Sequence, residues 1–495
     1  MKKVVIIGAG VAGLASGIKL KTLGYDVEIF EKNAQVGGRM YQLKDRGFTF
    51  DVGPTIVMMP ELYKDVFRSS GVNPDDYLSF ELLNPLYTVY FKDKTKLSVS
   101  SQLTDLIKEL ESFSEKEAEG YLAYLADVYK RYHSAKHAFL DVTYRKPTEF
   151  YNIRSLISLL RLRTLNTAYH SISKFVKDEK LRQALSFQTL YIGVSPFAGP
   201  SIYTIIPMIE LLYGIWYIKG GMYQFAKAME KRFLEMGGKI HLNQVVDEII
   251  IENKKAVGIK VNKQNIKSDV VLSNADFPWA VKNLIKASKH KGKYQDKKLD
   301  KMTYSSSAFI LYFGMSKKYK THVHSIRFAQ DFKRNINDLF ESNIPEDPSF
   351  YIYSPSQIDD LVAPKGKEII YVLVPTPSLH KNGITWDKTL IESYKAKIIN
   401  LIEEIPGFED FKDHIEVSHV YTPKTFEDTF NLSYGATFGL RPTISQSVYF
   451  RPQATFKKVK NLYFTGSSTH PGAGVPIVLM SSNLAVKSIE RDHKA

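Results

Sequence analysis

The sequence contains no cysteine in 495 residues. That absence excludes a thiol nucleophile, a thiolate metal ligand, a redox disulfide and a cysteinyl link to a cofactor. Any electron-transfer chemistry has to come from a bound group. Long apolar runs are missing as well. The strongest one, residues 205–218, is interrupted by Glu210 and falls short of the roughly 18 residues that signal a membrane span. At the start, Lys2 and Lys3 precede an apolar run that stops at Gly8, shorter than the about 7 to 15 residues of a signal-peptide core. Both observations lead to the expectation of a cytoplasmic protein. The 12 histidines show no H-E-x-x-H or similar spacing, so no metal is expected. Internal repeats and low-complexity segments are absent too.

A hydrophobic content of 44% supplies a sizeable core, and the length fits about three structural units of roughly 150 residues. Lys plus Arg number 67 against 52 for Asp plus Glu, a net charge of +15. The positive charge is spread along the chain and no nucleic-acid motif accompanies it. The expected partner is therefore an anionic membrane surface, and no nucleic acid.

Residues 4–7 form a short apolar run, residues 11–23 have helical periodicity ending before Gly24, and residues 25–31 read as a second strand. This is a βαβ unit. At its turn, Gly8-Ala9-Gly10-Val11-Ala12-Gly13 fits the dinucleotide pattern G-x-G-x-x-G. Gly8 permits the tight turn, Gly10 admits a pyrophosphate to the backbone, and Gly13 lets helix pack on strand. Glu31, followed by Lys32, stands 21 positions after Gly10, where a carboxylate accepts hydrogen bonds from ribose hydroxyls. To this point NAD and FAD fit equally. Gly37-Gly38-Arg39 then offers close backbone approach at Gly38 and a guanidinium at Arg39 to neutralise pyrophosphate charge, as in double-glycine flavoproteins.

Helical patterns run through 103–130 and 156–210, and again through 225–235. Strands are expected at 239–242, 245–252 and 256–261, with a hairpin-like stretch ending at 270–273. Strands at 308–314 and 369–374 belong to a separate sheet. The chain ends with a strand at 461–465, a glycine loop and a helix from Val475. The resulting division assigns 1–85, 219–290 and 441–495 to a dinucleotide domain. Residues 86–218 form a helical substrate and membrane-associating region, and 291–440 a substrate-binding sheet domain.

The segment Asn461-Leu-Tyr-Phe-Thr-Gly-Ser-Ser-Thr-His-Pro-Gly-Ala-Gly-Val-Pro476 is the most specific. Gly466 ends a strand, Gly474 leaves backbone uncovered, and Pro476 sits in the first turn of a helix whose positive end faces the cofactor. With Gly37-Gly38-Arg39-Met40, Asp51-Val-Gly-Pro54, Thr143-Tyr-Arg-Lys-Pro147, Phe187-Gln-Thr-Leu-Tyr-Ile-Gly193 and Lys219-Gly-Gly-Met-Tyr223, it resembles the bacterial-type phytoene desaturase family. Within that family the dehydrosqualene, or 4,4′-diapophytoene, desaturases are most similar.

The resemblance implies an α/β fold with three parts: a Rossmann-like FAD domain, a mixed-sheet substrate domain and a helical membrane-associating region. It implies non-covalent FAD, which takes a hydride from a C30 polyene precursor that then loses a proton. It adds Gly53, Pro54, Val246, Gly466, Ser467, Gly474, Val475 and Pro476 to the cofactor contacts, Val246 through its backbone to the adenine. One departure stands out: many related flavoproteins carry an acid where this chain has Ser467.

A C30 hydrocarbon needs an apolar tunnel, and residues 187–218, with Tyr191, Tyr203 and Trp216, are the expected wall; a plain buried helix pair is the alternative. The segment 153–165 mixes leucines with Arg154, Arg161 and Arg163 and fits an interfacial helix, hence peripheral membrane attachment. No catalytic base is assigned. His470 either orients the closing loop or moves a proton, and Asp51 either bonds near the flavin or fixes a turn. A carotenoid oxygenase or ketolase and a non-enzymatic prenyl-chaperone share the architecture and remain alternatives. The electron acceptor, the number of double bonds introduced, C30 against C40 chain length and the oligomeric state are left open.

Overall fold

The computed structural model of the protein describes residues 1–135, 142–152, 166–380 and 383–493. The proposed interfacial helix at 153–165 lies outside the described residues.

Two sheets organise the described chain. The first has five parallel strands in the order Leu462–Phe464, Val270–Ser273, Lys3–Ile7, Asp26–Phe30, Lys239–His241. Its central strand is apolar on both faces because both are covered, as parallel strands require. Val4, Val5 and Ile6 are fully buried, each side chain worth about 1.5–3 kcal/mol on burial. Helices Val11–Thr22, Tyr223–Glu235 and Val475–Asp492 pack together on one side. A three-stranded antiparallel sheet, Val246–Glu252, Lys255–Val261 and Gln264–Lys267, shares a core with the other side.

Two expectations change here. The strand at 239 does not pair with the one at 246; it joins the edge of the parallel sheet beside Asp26–Phe30. Nor does 270–273 end a hairpin, since it pairs in parallel with both Lys3–Ile7 and Leu462–Phe464. Short strand runs show their own propensity but carry no signal for partners hundreds of residues away.

The second sheet has seven strands, in the order Ile415–Tyr421, Ser307–Met315, Glu368–Thr376, Phe350–Tyr353, His324–Arg327, Tyr87–Tyr90, Lys96–Val99. Its ladders are antiparallel except where His324–Arg327 meets Tyr87–Tyr90. The segment 86–218, expected to be helical, thus gives two strands to this sheet. Period-2 alternation separates its faces. Phe309, Leu311, Ile370 and Val372 pack in one core with Tyr394, Ile398 and Ile402 of helix Lys388–Glu403. Ala308, Ile310, Tyr371 and Leu373 turn the other way and line a cleft toward the first sheet.

The helical stretch expected over 156–210 is broken into short pieces within its described part: Ala168–Ile172, Glu179–Ser186, a 3-10 turn at Phe187–Ile192, and Ile205–Tyr213. Gly193 at φ +70° stops the 3-10 turn, and Pro196, Gly199 and Pro200 keep the chain from resuming a helix at once. Among the described residues no helix is long and apolar enough to cross a membrane.

Candidate functional site

A single cleft of about 2550 Å³, its open mouth included, runs between the two sheets. Its polar part is built by the opening βαβ unit. The strand Lys3–Ile7 ends in Gly8 at φ +94°, a conformation that suits glycine, and the chain turns into helix Val11–Thr22. Helix geometry leaves the first N–H groups without intrahelical acceptors, and Val11 and Ala12 of that turn line the cleft with Gly10. A Cβ on Gly10 would lie 2.7 Å from Asn274 Oδ1, and one on Gly13 would lie 2.1 Å from the Gly8 carbonyl. Gly13 is thus a packing requirement behind the cleft wall, in which neither it nor Ala9 takes part.

Glu31 follows strand Asp26–Phe30 and is buried in the cleft wall at 5% exposure. Its Oε2 accepts from Ala9 N at 2.8 Å and its Oε1 from Asn33 N at 2.9 Å. Burial raises the carboxyl above its usual range while these two donors pull it back. Each oxygen retains acceptor capacity toward the cleft. Lys32 lines the cleft as well, its Nζ donating to Asn431 Oδ1 at 2.8 Å.

The double glycine lies against this turn. Gly37 N donates to Ala9 O at 2.8 Å, and Gly10 and Gly37 form a parallel bridge. Arg39 is held across the cleft: Nη1 donates to Thr437 O and Nη2 to Ser467 Oγ, the latter at 2.7 Å. Burial lowers its pKa, opposed by nearby Asp276. Gly53, Pro54 and Val246 also stand in the wall, as do Gly466, Ser467, Gly474, Val475 and Pro476 of the closing segment. Helix Val475–Asp492 carries Pro476 in its first turn and presents its N-terminus to the same space.

Residues with no sequence signal complete the frame. Asn274 and Asp276 follow strand Val270–Ser273 and line the cleft. Arg451, at 1% exposure, donates from Nε to Thr469 O, from Nη1 to Gln446 O, and from Nη2 to Leu440 O and Ser467 O. It ties the closing loop to its neighbours from behind.

The two residues left open in the sequence fall outside the cleft lining. Asp51 accepts from Met222 N at 2.7 Å and Tyr223 N at 3.2 Å, and burial pushes its carboxyl up to about 6. It caps the start of helix Tyr223–Glu235 and fixes that turn. His470, itself part of the closing loop, is buried with Nε2 3.0 Å from Val142 O, a contact that orients the loop.

The apolar part of the cleft lies against the seven-stranded sheet: Ala308, Ile310, Ile326, Tyr351, Tyr371 and Leu373, facing Phe187, Leu190, Tyr191, Phe328 and Phe332. Of the three aromatic residues expected to touch substrate, Tyr191 is there. Tyr203 is turned away, its hydroxyl donating to Pro442 O at 3.1 Å, and Trp216 sits on the Phe80–Leu82 ladder with Nε1 donating to Tyr213 O at 2.7 Å. Aromatic composition marks burial without specifying which cavity is lined.

The polar end therefore fits a dinucleotide: exposed helix N-termini for phosphates, a glycine where a side chain would intrude, a buried carboxylate beside the turn and a guanidinium within the wall. A model of flavin containing amine oxidoreductases matches residues 11–489. The chain is 46% identical over 494 residues to a 4,4′-diapophytoene desaturase (4,4′-diaponeurosporene-forming) of Staphylococcus haemolyticus, with 99% of each chain covered. It is 45% identical over 496 residues to the protein of that name in Staphylococcus aureus strain Newman, again over 99% of each. An oxidoreductase structure from Methanosarcina mazei shares the fold with a TM-score of 0.65, at 19% identity, over 99% of this chain and 100% of that one. The chain belongs to the flavin-containing amine oxidoreductase family, where it stands with the 4,4′-diapophytoene desaturases, and its cofactor is FAD.

Proposed function

We propose that the protein desaturates the C30 precursor 4,4′-diapophytoene toward 4,4′-diaponeurosporene. The observation that carries this reading is the continuity of one cleft from the glycine turn at Gly10 to the hydrocarbon wall of Ile310, Leu373 and Phe328. It is supported by the full-length likeness to desaturases of that name. Bound FAD supplies the hydride acceptor.

The protein's own residues do the rest. Val11, Ala12 and the start of helix Val475–Asp492 offer N–H groups and helix dipoles to the pyrophosphate and ribityl oxygens. Glu31 receives the adenosine ribose, the backbone of Val246 borders the adenine, and Gly38, Gly53, Pro54 and Gly466 allow close approach of main chain. Arg39 balances phosphate charge. The apolar wall binds the polyene by burial and keeps water from the cation left after hydride removal.

The substrate is insoluble in water, which places its source in a bilayer. Peripheral attachment to an anionic membrane surface is part of this proposal. It is supported by the +15 charge and by exposed Tyr151 and Phe450, each packed edge-on against the Phe150–Tyr449 stack. Coflotation with vesicles of anionic lipid, and not with neutral ones, is the expected result.

Expression beside a C30 precursor synthase tests the activity. The expected product absorbs at longer wavelength and is lighter by two hydrogens per double bond. A product that gains oxygen, or a purified protein that takes up no FAD, overturns the reading.

A further inference from the structure

An otherwise apolar part of the cleft contains a hydrogen-bonded chain that leads away from the hydrocarbon space. Thr55 and Tyr351 both line the cleft, and Thr55 Oγ1 is 2.7 Å from Tyr351 Oη. Tyr351 Oη is in turn 2.7 Å from Nδ1 of His324. His324 does not line the cleft and is buried at 1% exposure. Its ring is near-parallel to those of Tyr351, at 5.8 Å and 26°, and Tyr353, at 5.4 Å and 15°. Its Nε2 is buried and has no hydrogen-bond partner among the described residues.

Such a group is expensive to keep for packing alone. A buried imidazole nitrogen with no partner destabilises the fold, whereas an apolar side chain at the same strand position would fill the space without that penalty. His324 is directly opposite Tyr353 in the ladder between His324–Arg327 and Phe350–Tyr353, so its placement follows from strand register. Burial depresses its pKa to about 3, which leaves the ring neutral at neutral pH, a weak base that only a strong acid protonates.

The geometry points to Tyr351 as the catalytic residue that accepts the proton lost in desaturation, with His324 as the positioning residue that takes the hydroxyl proton in turn. This rests on the desaturation reading above. Once the hydride has left the substrate, the adjacent C–H bond breaks and its electron pair becomes the new C=C bond. The proton passes to Tyr351 Oη as the hydroxyl's own proton moves to His324 Nδ1. No electrons are exchanged in this step. When the product leaves, the proton returns through Tyr351 to water entering the cleft.

A neutral phenol and an imidazole of depressed basicity suffice because a polyene-stabilised cation is a strong acid. The near-parallel ring of Tyr353 stabilises the transient imidazolium by cation–π contact. Thr55 fixes the orientation of the phenol. The step requires a specific tautomer: in the resting enzyme Nδ1 accepts from Tyr351 and Nε2 carries the proton.

The test uses the FAD-loaded full chain with 4,4′-diapophytoene in detergent micelles, comparing wild type, Tyr351→Phe and His324→Asn. Asn keeps a hydrogen-bond acceptor near the position of Nδ1 and removes the base. Both variants are expected to retain flavin content and substrate affinity while turnover falls about 100-fold or more. In Tyr351→Phe, deuterium at the proton-losing carbon should slow the reaction more than it does in wild type. Nitrogen NMR of histidine-labelled wild-type protein should show an unprotonated, hydrogen-bonded Nδ1 at His324. Near wild-type turnover in His324→Asn, an unchanged isotope effect in Tyr351→Phe, or a protonated Nδ1 each overturns the inference. Absence of desaturated product from wild type itself defeats the functional reading instead.

Discussion

Asn274 Oδ1 accepts from Gly13 N at 3.0 Å while its Nδ2 donates to Thr465 O at 3.3 Å. One amide thereby joins the first turn of the opening helix to the end of the last strand, and both flank the polar part of the cleft. Asn274→Ala leaves Gly13 N without that acceptor, at a cost of about 1–3 kcal/mol. The expected outcome is a FAD affinity lowered roughly 10- to 100-fold, read by titrating apoprotein with FAD.

The contrast between Gly13 and Asn274 shows what was legible in the sequence. Gly8, at φ +94°, and Gly13, whose Cβ would meet the Gly8 carbonyl, answer a local steric demand, so spacing alone exposes them. Asn274 meets its partners 261 and 191 residues away in sequence, and nothing near it marks the role. Tyr191, Tyr203 and Trp216 look alike in the sequence, yet of the three Tyr191 alone lines the cleft, because hydrophobicity predicts that a ring is buried and not against what. The strands at 87–90 and 96–99 are hard to read for a related reason: short strands just ahead of a long helical pattern gain their stability from a sheet assembled mostly after residue 300.

Arg451 is the second residue of that hidden class. Its four donated bonds hold carbonyls of Leu440, Gln446, Ser467 and Thr469, and burial lowers its pKa to about 10, still charged at neutral pH. Arg451→Met keeps the length and removes every donor. Hydrogen bonds from a charged group contribute about 1.5–3 kcal/mol each, so denaturant unfolding should show a loss of about 3 kcal/mol or more. FAD content should fall with it. Arg451→Lys should recover only part, since a point charge does not reproduce the fork.

Ser467 departs from the acid that many related flavoproteins carry, and the structure supplies a reason to expect little from its side chain toward the cofactor. Its Oγ is taken by Arg39 Nη2 at 2.7 Å. Ser467→Ala should lower FAD affinity by less than about 10-fold, equivalent to less than about 1.4 kcal/mol. Arg39→Met should lower it further, because it also removes the bond to Thr437 O and the charge. Equal losses in the two variants would show that the Ser467 hydroxyl itself matters to FAD.

Glu210 offers a test by pH that is separate from the cofactor. It is fully buried in helix Ile205–Tyr213, with Gln188 Nε2 3.3 Å from its Oε2, and burial pushes its carboxyl up to about 8. In the unfolded chain the group titrates near 4.3. Between these values the folded state keeps a proton that the unfolded state has released. Its contribution is therefore complete below about pH 4.3 and is lost as pH rises through about 8, with a slope of up to about 1.4 kcal/mol per pH unit. Glu210→Gln cannot ionise and keeps an amide in the same space. Urea unfolding of both proteins at pH 6 and pH 9 isolates the effect, since other buried acids such as Asp51 and Glu368 are common to both. The variant should gain about 2–3 kcal/mol relative to wild type between those two pH values, and parallel pH profiles would rule out a protonated Glu210 in the native core.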